Sequence, residues 1–462
     1  MKTIYDNVHR QYTSWPDAIV QLINTSEFQR LKRIKQLSAC HYVFPGATHS
    51  RFEHSLGVGY LAAKFVRTLA TNQPELSIGL SDGCETTLET AILAFQLAGL
   101  CHDLGHATLS HGFDTLVTSF EPPAQAHEAR SVALLRYIVT KYRLPIPSSV
   151  IETACELIYP ERKMNNTLPS WWYQIIANDQ DSIDVDKFDY LLRDAHALGI
   201  GGIAVDIERF IEYARICPVD SVSGDMCLCY SKKLQFDVNQ LFLARHRLHA
   251  QVYQHPAVRA IEKMLQDFLV CIKGPLQDDL QASLTHPERL CTWTDDVFTR
   301  PFLDLLVAQG RVEKVHAAKA RELIERIEHR QLYRHVSEVR IPRQLAIEKQ
   351  SVIDMQSIIK NMEKKTSIVV SSSVWQREWY TDAVMIGYAL NPLYRVRFYD
   401  VDTTNNKHTA KHVPLVESSY TFPVCSRDTI VRIYCKSNVR PTQQTIDAVK
   451  KASTLCVPLD KS

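Results

Sequence analysis

The stretch from Glu85 to Leu104 constrains the fold more than any other part of the chain. It reads as a helix that is apolar on most of its circumference, and such a helix must be surrounded by other elements. It runs into Leu100-Cys-His-Asp-Leu-Gly-His106, so an interior helix delivers imidazoles and a carboxylate to its buried end. An unpaired buried carboxylate costs on the order of several kcal/mol and therefore calls for a cation or a full set of donors. His102 and Asp103 can both turn toward one ion. A bare His-Asp pair is nevertheless a common dipeptide, and a capping Asp beside a satisfied core His would account for it. The rest of the chain has to decide.

Three further segments bear on it. Ser50 to Leu69 opens with Ser50-x-x-Glu53, a capping box, and places Arg51 and His54 at i and i+3 on one helical face. Asp186, Tyr190 and Asp194 follow an i, i+4, i+8 spacing, with Lys187 at the edge of that stripe. Arg245, His249 and Tyr253 repeat the spacing later in the chain. Any one of these stripes alone reads as a solvated face. Together they give several helices that each offer a cation, imidazole or carboxylate on one side. Two histidines and two carboxylates make a mixed nitrogen and oxygen ligand set that suits Zn, Mn, Fe or Mg without soft thiolates. A cation so held lowers the pKa of bound water and polarises a phosphoryl oxygen. Arg51, Lys187 and Arg245 would offset phosphate charge, the arginines through forked donors.

The predicted architecture is mainly α. Residues 1–23 read as short irregular structure that ties the N-terminus down, and Phe28 to Leu323 as helical. Helices are expected over 127–142, 148–158, 171–178, 182–196, 206–214, 234–272 and 296–308. Beyond residue 330, Ser367 to Val370, Tyr394 to Tyr399 and Thr429 to Tyr434 are rich in β-branched and aromatic residues and read as strands. A helix over Thr442 to Ala452 follows. The expected division is a helical catalytic domain, 1–330, and a smaller α+β lobe, 331–462.

Of the 462 residues, 45% are apolar and 23% charged, the balance of a globular chain. No apolar run reaches the roughly 20 residues of a membrane span, and the start lacks a signal-peptide core. The expected location is cytoplasmic or nuclear. A formal net charge of +2 supplies no broad field for nucleic acid. The 12 cysteines form no CxxC pair and read as reduced thiols.

The segments YVFPGATHSRFEHSLGVGYLA, AGLCHDLGHATLSHGFD, IDVDKFDYLLRDAHALGI and ARHRLHAQVYQH, taken in this order, resemble the HD-domain deoxynucleoside triphosphate triphosphohydrolases. The likeness is to the vertebrate branch that carries a sterile-alpha-motif module. It runs from about Asp6 to about Tyr333 and more weakly beyond, and this chain is expected to lack that module. The resemblance implies a helical HD-domain core with a transition metal, Fe, Zn or Mn, on His54, His102, Asp103 and Asp186. It implies Mg with the substrate phosphates and a triphosphate held by Arg51, Lys187, Tyr190 and Arg245. Gln36, Leu37 and Asp194 would lie at the sugar, with His249 in the substrate set and Tyr253 crowding C2′ to exclude ribonucleotides. His111, His127 and Asp114 match residues around the scissile bond. An imidazole is well tuned to protonate the leaving 5′-oxygen near neutral pH, which makes His111 the expected acid. His106 is expected to orient His102. The family reaction releases a deoxynucleoside and inorganic triphosphate.

The resemblance also implies a homo-oligomer, dimer or tetramer, and an activating nucleotide, GTP or a dNTP, at a second site formed by Lys2, Asn24, Gln29 and Lys32. Here the pattern departs. Asn24 and Lys32 stand where the family has a guanine-reading Asp and Arg, while Gln29 is kept. An amide offers one acceptor oxygen where a carboxylate accepts from two N–H groups, and Lys lacks the planar fork of Arg. Tyr5, Gln11 and Pro256 also differ from the pattern. Altered activation is the expectation. Cys217, Cys229 (or its neighbour Cys227) and Cys435 fall near the family's redox-responsive cysteines. Two alternatives remain at this point: another HD phosphohydrolase, of nucleoside monophosphates or cyclic nucleotides, and a nucleotide-sensing or single-strand nucleic-acid-binding protein with weak catalysis.

Overall fold

A computed structural model describes residues 2–76, 78–81, 86–110, 112–114, 126–160, 168–203, 205–219, 225–341, 355–388, 392–401, 408–412 and 428–454. The chain forms two compact units, one of Met1–Ala244, Pro275–Phe302 and Pro392–Ser418, the other of Arg245–Gly274, Leu303–Asn391 and Ser419–Ser462. The expected division at residue 330 does not coincide with them. The chain passes repeatedly from one unit to the other, so the change of composition near 330 marks a change of element type.

The first unit is mainly helical, as the periodicity predicts. Its central helix, Leu88–Cys101, starts where the Thr87 hydroxyl accepts from the Thr90 N–H at 3.1 Å. From Ala91 onward it is buried at every position but Leu93. It packs along the helix Arg51–Asn72 and against Ser148–Ile158. A Cβ on Gly99 would lie 2.9 Å from the Val58 carbonyl oxygen, so this close approach of backbones requires glycine. The central helix ends at Cys101, three residues before the expected Leu104. His102 therefore caps it and Asp103 sits in the following turn. The Arg51–Asn72 helix has the predicted start, with Glu53 accepting from the Ser50 N–H at 3.0 Å. The helices His127–Tyr142 and Ser148–Ile158 have the expected bounds.

Several expectations fail. The stretch expected to be irregular forms, over residues 2–23, an antiparallel hairpin, Lys2–Asp6 with Gln11–Trp15, followed by the helix Asp17–Ile23. Two five-residue strands are too short for alternation to stand out in the sequence. A second hairpin, Ala214–Pro218 with Met226–Ser231, interrupts the region expected to be helical. Its inner strand pairs in parallel with Arg397–Val401, and His408–His412 completes a four-stranded sheet. The expected helix over 234–272 is two, Gln235–Leu248 and Pro256–Thr285, separated by a π-turn at His249–Tyr253. Pro256, without an N–H to continue the first ladder, opens the second helix.

The second unit contains an antiparallel sheet in the order Arg334–Ile341, Asp428–Cys435, Trp379–Ile386. The helices Met355–Val370 and Gln443–Thr454 pack together beside it. The segment Ser367 to Val370, expected as a strand, is the last turn of Met355–Val370. Val370 packs there against the cluster of Val336, Trp375 and Trp379, and tertiary context outweighs its β preference. Among the described residues no helix is long and apolar enough to cross a membrane.

Candidate metal centre

Three helices of the first unit build the centre. Arg51–Asn72 presents His54 one turn from its start, and the end of Leu88–Cys101 presents His102 and Asp103. The helix Val185–Leu198 presents Asp186 in its first turn. Its start is fixed by Asp184, whose carboxylate accepts from the Lys187 N–H at 2.9 Å and the Asn178 N–H at 3.2 Å. The ligand atoms of His54, His102 and Asp103 lie within 4.8 Å of one another. Asp186 Oδ1 lies 2.9 Å from His54 Nε2 and 3.5 Å from His102 Nε2. Asp103 offers Oδ1 to His102 Nε2 at 3.5 Å and Oδ2 to His54 Nε2 at 3.6 Å.

The hydrogen bonds on the far side of each ring define what the near side can do. His54 Nδ1 donates to Asp189 Oδ2 at 2.8 Å, and His102 Nδ1 donates to the Gly99 carbonyl at 2.7 Å. With Nδ1 committed as a donor on the far side, Nε2 is the atom each ring has left to ligate a cation, once any proton on it is displaced. Both Nε2 atoms are buried, and neither completes a hydrogen bond. Two orphaned buried imidazole nitrogens facing two carboxylates form a donor set that fits a divalent cation of the Zn, Fe or Mn type.

The charges agree with that fit. Burial by itself would depress the His54 imidazole, but the facing carboxylates of Asp186 and Asp189 raise it to about 10. Burial would raise Asp103; the Arg51 guanidinium, in a short contact with it, holds it well below the usual carboxylate range. Asp186 is likewise lowered against burial by the His102 and His54 rings. The protein without a cation thus keeps a proton on His54 that ligation must displace. Against burial, His102 is raised too, by Asp103 and Asp186, so apparent cation affinity is expected to rise at least about tenfold per pH unit between about pH 6 and 8, with proton release. A metal titration at three pH values measures this; a flat profile would remove Nε2 of His54 from the ligand set.

Around the four candidate ligands lies a second group. His106 Nε2 is 3.3 Å from Asp103 Oδ1, and its ring stacks on His127 with centroids 4.0 Å apart. Burial, then Arg51 and His127, push His106 well below the ordinary imidazole range against the pull of Asp103. His127, the first residue of its helix, has Nδ1 3.5 Å from Asp114 Oδ2, and Arg130 is paired with Asp114. His127, half-buried, thus packs against both His106 and Asp114. His111, the expected acid, lies outside the described residues.

The remaining expected site residues are placed as follows. Arg51 bonds Ser110 Oγ at 3.0 Å as well as Asp103. Lys187 is buried, 3.5 Å from Asp184, and Tyr190 is half-buried one turn further on. Asp194 is buried and accepts from His49 Nε2 at 2.8 Å, and the His49 carbonyl accepts from the Gln36 N–H at 3.0 Å. Gln36 Oε1 is buried without a hydrogen-bond partner, and Leu37 is half-buried beside it in sequence. Arg245, His249 and Tyr253 belong to the second unit, where Arg245 lies over the Tyr388 ring at 4.8 Å. The π-turn replaces the uniform i, i+4 stripe expected for them, and the His249 and Tyr253 rings meet edge to face at 4.8 Å. Lys2, Asn24 and Lys32 are exposed; Lys32 lies 4.5 Å over Phe52, and the Gln29 amide donates to the Ile23 carbonyl at 2.7 Å. Cys217 and Cys229 are buried together with Cys227, whose Sγ is 3.4 Å from that of Cys229, while Cys435 is buried in the sheet of the second unit.

Asp189, which accepts from His54 Nδ1, is not among the residues expected from the sequence. It stands three residues after Asp186, one helical turn away, and that spacing was the available signal. The i+4 stripe through Asp186, Tyr190 and Asp194 drew attention to the neighbouring face. Asp189 is fully buried, and a Cβ on Gly57 would fall 1.8 Å from its Oδ1, so the facing helix has room only for glycine.

A helical domain in which His54 and a His102-Asp103 pair converge with Asp186 is the arrangement of an HD domain, and the HD domain family model matches residues 51–194. The deoxynucleoside triphosphate triphosphohydrolase SAMHD1 of Bos taurus is 32% identical over 96% of this chain and 76% of its own length. The protein of that name from Homo sapiens is 32% identical over 94% of this chain and 70% of its own. A SAMHD1 homolog of Dictyostelium discoideum is 29% identical, covering 96% and 79%. The chain belongs to the SAMHD1 family of HD-domain proteins.

Proposed function

We propose that the chain is a metal-dependent dNTP triphosphohydrolase, converting a dNTP and water to a deoxynucleoside and inorganic triphosphate. The observation that carries this reading is the pair of orphaned Nε2 atoms facing Asp103 and Asp186, in a chain of this family. His54, His102, Asp103 and Asp186 would hold one transition-metal ion, Fe, Zn or Mn. Such an ion supplies an activated water and a polarised α-phosphoryl oxygen. Arg51, beside Asp103, would meet a phosphate oxygen with its fork once substrate enters. Lys187 and Tyr190 extend that role along the triphosphate, with Mg on the phosphates. Gln36 and Asp194 take the sugar 3′-hydroxyl, with Leu37 in the substrate set; Asp194 is held by His49 Nε2 at 2.8 Å. Arg245, His249 and Tyr253 are assigned to substrate from the family pattern alone. His111 protonates the 5′-oxygen as the bond to the α-phosphorus breaks, with His127 and Asp114 orienting it or the water.

Activation is proposed to differ from the family pattern, because Asn24 and Lys32 cannot read guanine as an Asp and an Arg do. A homo-oligomer, with residues 331–462 contributing to subunit contacts, completes the proposal. Purified protein with Mg or Mn and each dNTP, with and without GTP, is expected to release inorganic triphosphate. Monophosphate or pyrophosphate as product would favour a different HD phosphohydrolase, and binding without turnover a nucleotide sensor. A strict, saturable GTP requirement would overturn altered activation.

A further inference from the structure

The N-terminal hairpin and the metal centre are far apart in sequence, yet they share one carboxylate. Asp189, fully buried on the helix Val185–Leu198, has four donors on its two oxygens. Oδ2 accepts from His54 Nδ1 at 2.8 Å and from Arg193 Nε at 2.8 Å. Oδ1 accepts from Arg193 Nη2 at 2.9 Å and from His9 Nε2 at 2.7 Å. A carboxylate has about four lone-pair sites, so these donors fill it and fix its plane. His9 comes from the turn between the strands Lys2–Asp6 and Gln11–Trp15.

That turn is itself built to aim His9. Asp6 Oδ1 accepts from the backbone N–H groups of Val8 and His9 at 2.8 and 3.0 Å. Asp6 Oδ2 accepts from Arg193 Nη2 at 2.7 Å. The hairpin thus contacts both Asp189 and the arginine that clamps it. The His9 ring also lies against Tyr60, on the helix that carries His54, with centroids 5.9 Å apart. With the Gly57 face leaving no spare volume, Asp189 has no second position to take up when its donors are present.

We propose that the hairpin Lys2–Trp15 is a positioning element of the metal centre, in which His9 holds the Asp189 carboxylate that orients His54. His9 touches neither cation nor substrate, and it acts by keeping the proton of His54 on Nδ1 and its ring in line. The inference rests on the reading of His54 as a metal ligand. Partners of this kind change metal affinity by about 10–100-fold when removed.

Manganese binding by the full chain, measured by competition with a chromogenic chelator, tests it beside thermal melting of the metal-free protein. His9→Ala is expected to weaken manganese binding about tenfold or more, and His9→Gln, which keeps an N–H donor, to restore most of it. Asp6→Ala, which releases the turn without touching Asp189, is expected to fall between them. Equal affinities in wild type, His9→Ala and Asp6→Ala would overturn the proposal. So would equal weakening by His9→Ala and His9→Gln in step with their melting temperatures, which marks plain packing. His54→Ala separates the two levels: if it abolishes binding while His9→Ala does not weaken it, the relay fails and the metal centre stands. If His54→Ala binds like wild type, the ligand assignment fails and the relay with it.

Discussion

Asp103→Asn is expected to lower triphosphate release by more than about 10³-fold while the helical circular dichroism of the protein is retained. The carboxylate faces both orphaned imidazole nitrogens and is paired with Arg51. An amide of the same shape keeps one acceptor oxygen but removes the charge that offsets a divalent ion. Losing the cation forfeits both the activated water and the polarised phosphoryl oxygen, a contribution of several kcal/mol, and about 1.4 kcal/mol is tenfold in rate. His102→Ala is expected to act similarly through loss of Nε2. Steady-state assays with excess manganese measure both. Triphosphate release within tenfold of wild type in either variant would refute the proposed centre.

Asp189→Ala is expected to destabilise the protein by about 3–5 kcal/mol, the range for removing one member of a buried ion pair. Arg193 is buried, and its remaining partner is Asp6. The substitution strips it of both bonds to Asp189 and leaves His54 Nδ1 without its acceptor. Urea unfolding of the metal-free protein gives the difference directly. A loss under 1 kcal/mol would show that Arg193 and His54 re-pair locally, and that Asp189 does not organise this face of the centre.

Much of this centre could be read from the residues. The apolar run before His102 announced an interior helix, and the capping box placed His54 on the adjoining one. Helical spacing put Asp186 on a polar stripe, and the family resemblance assigned it to the cation. Asp189 escaped because a stripe at i+4 and a neighbour at i+3 are equally near on a helix, and only the position of His54 chooses between them. The hairpin at Lys2–Trp15 escaped for a different reason. Its strands are short, and His9 and Asp6 take their meaning from Asp189 and Arg193, which no local pattern links to them. The π-turn at His249–Tyr253 was hidden as well, since periodicity runs through a one-turn change in winding without a break. Ser367 to Val370 misled in the opposite sense, by carrying strand-forming residues into a helix end.

The four candidate ligands stand on three helices whose sequence neighbours lie far apart, and no two helices hold the full set. A cation there is therefore a staple across the chain, present only when distant segments have met. It binds the folded form and not the open chain, so its free concentration enters the folding equilibrium by mass action. At about 100 times its dissociation constant it adds roughly 2.7 kcal/mol. Metal supply would then govern how long this protein survives as well as how fast it works.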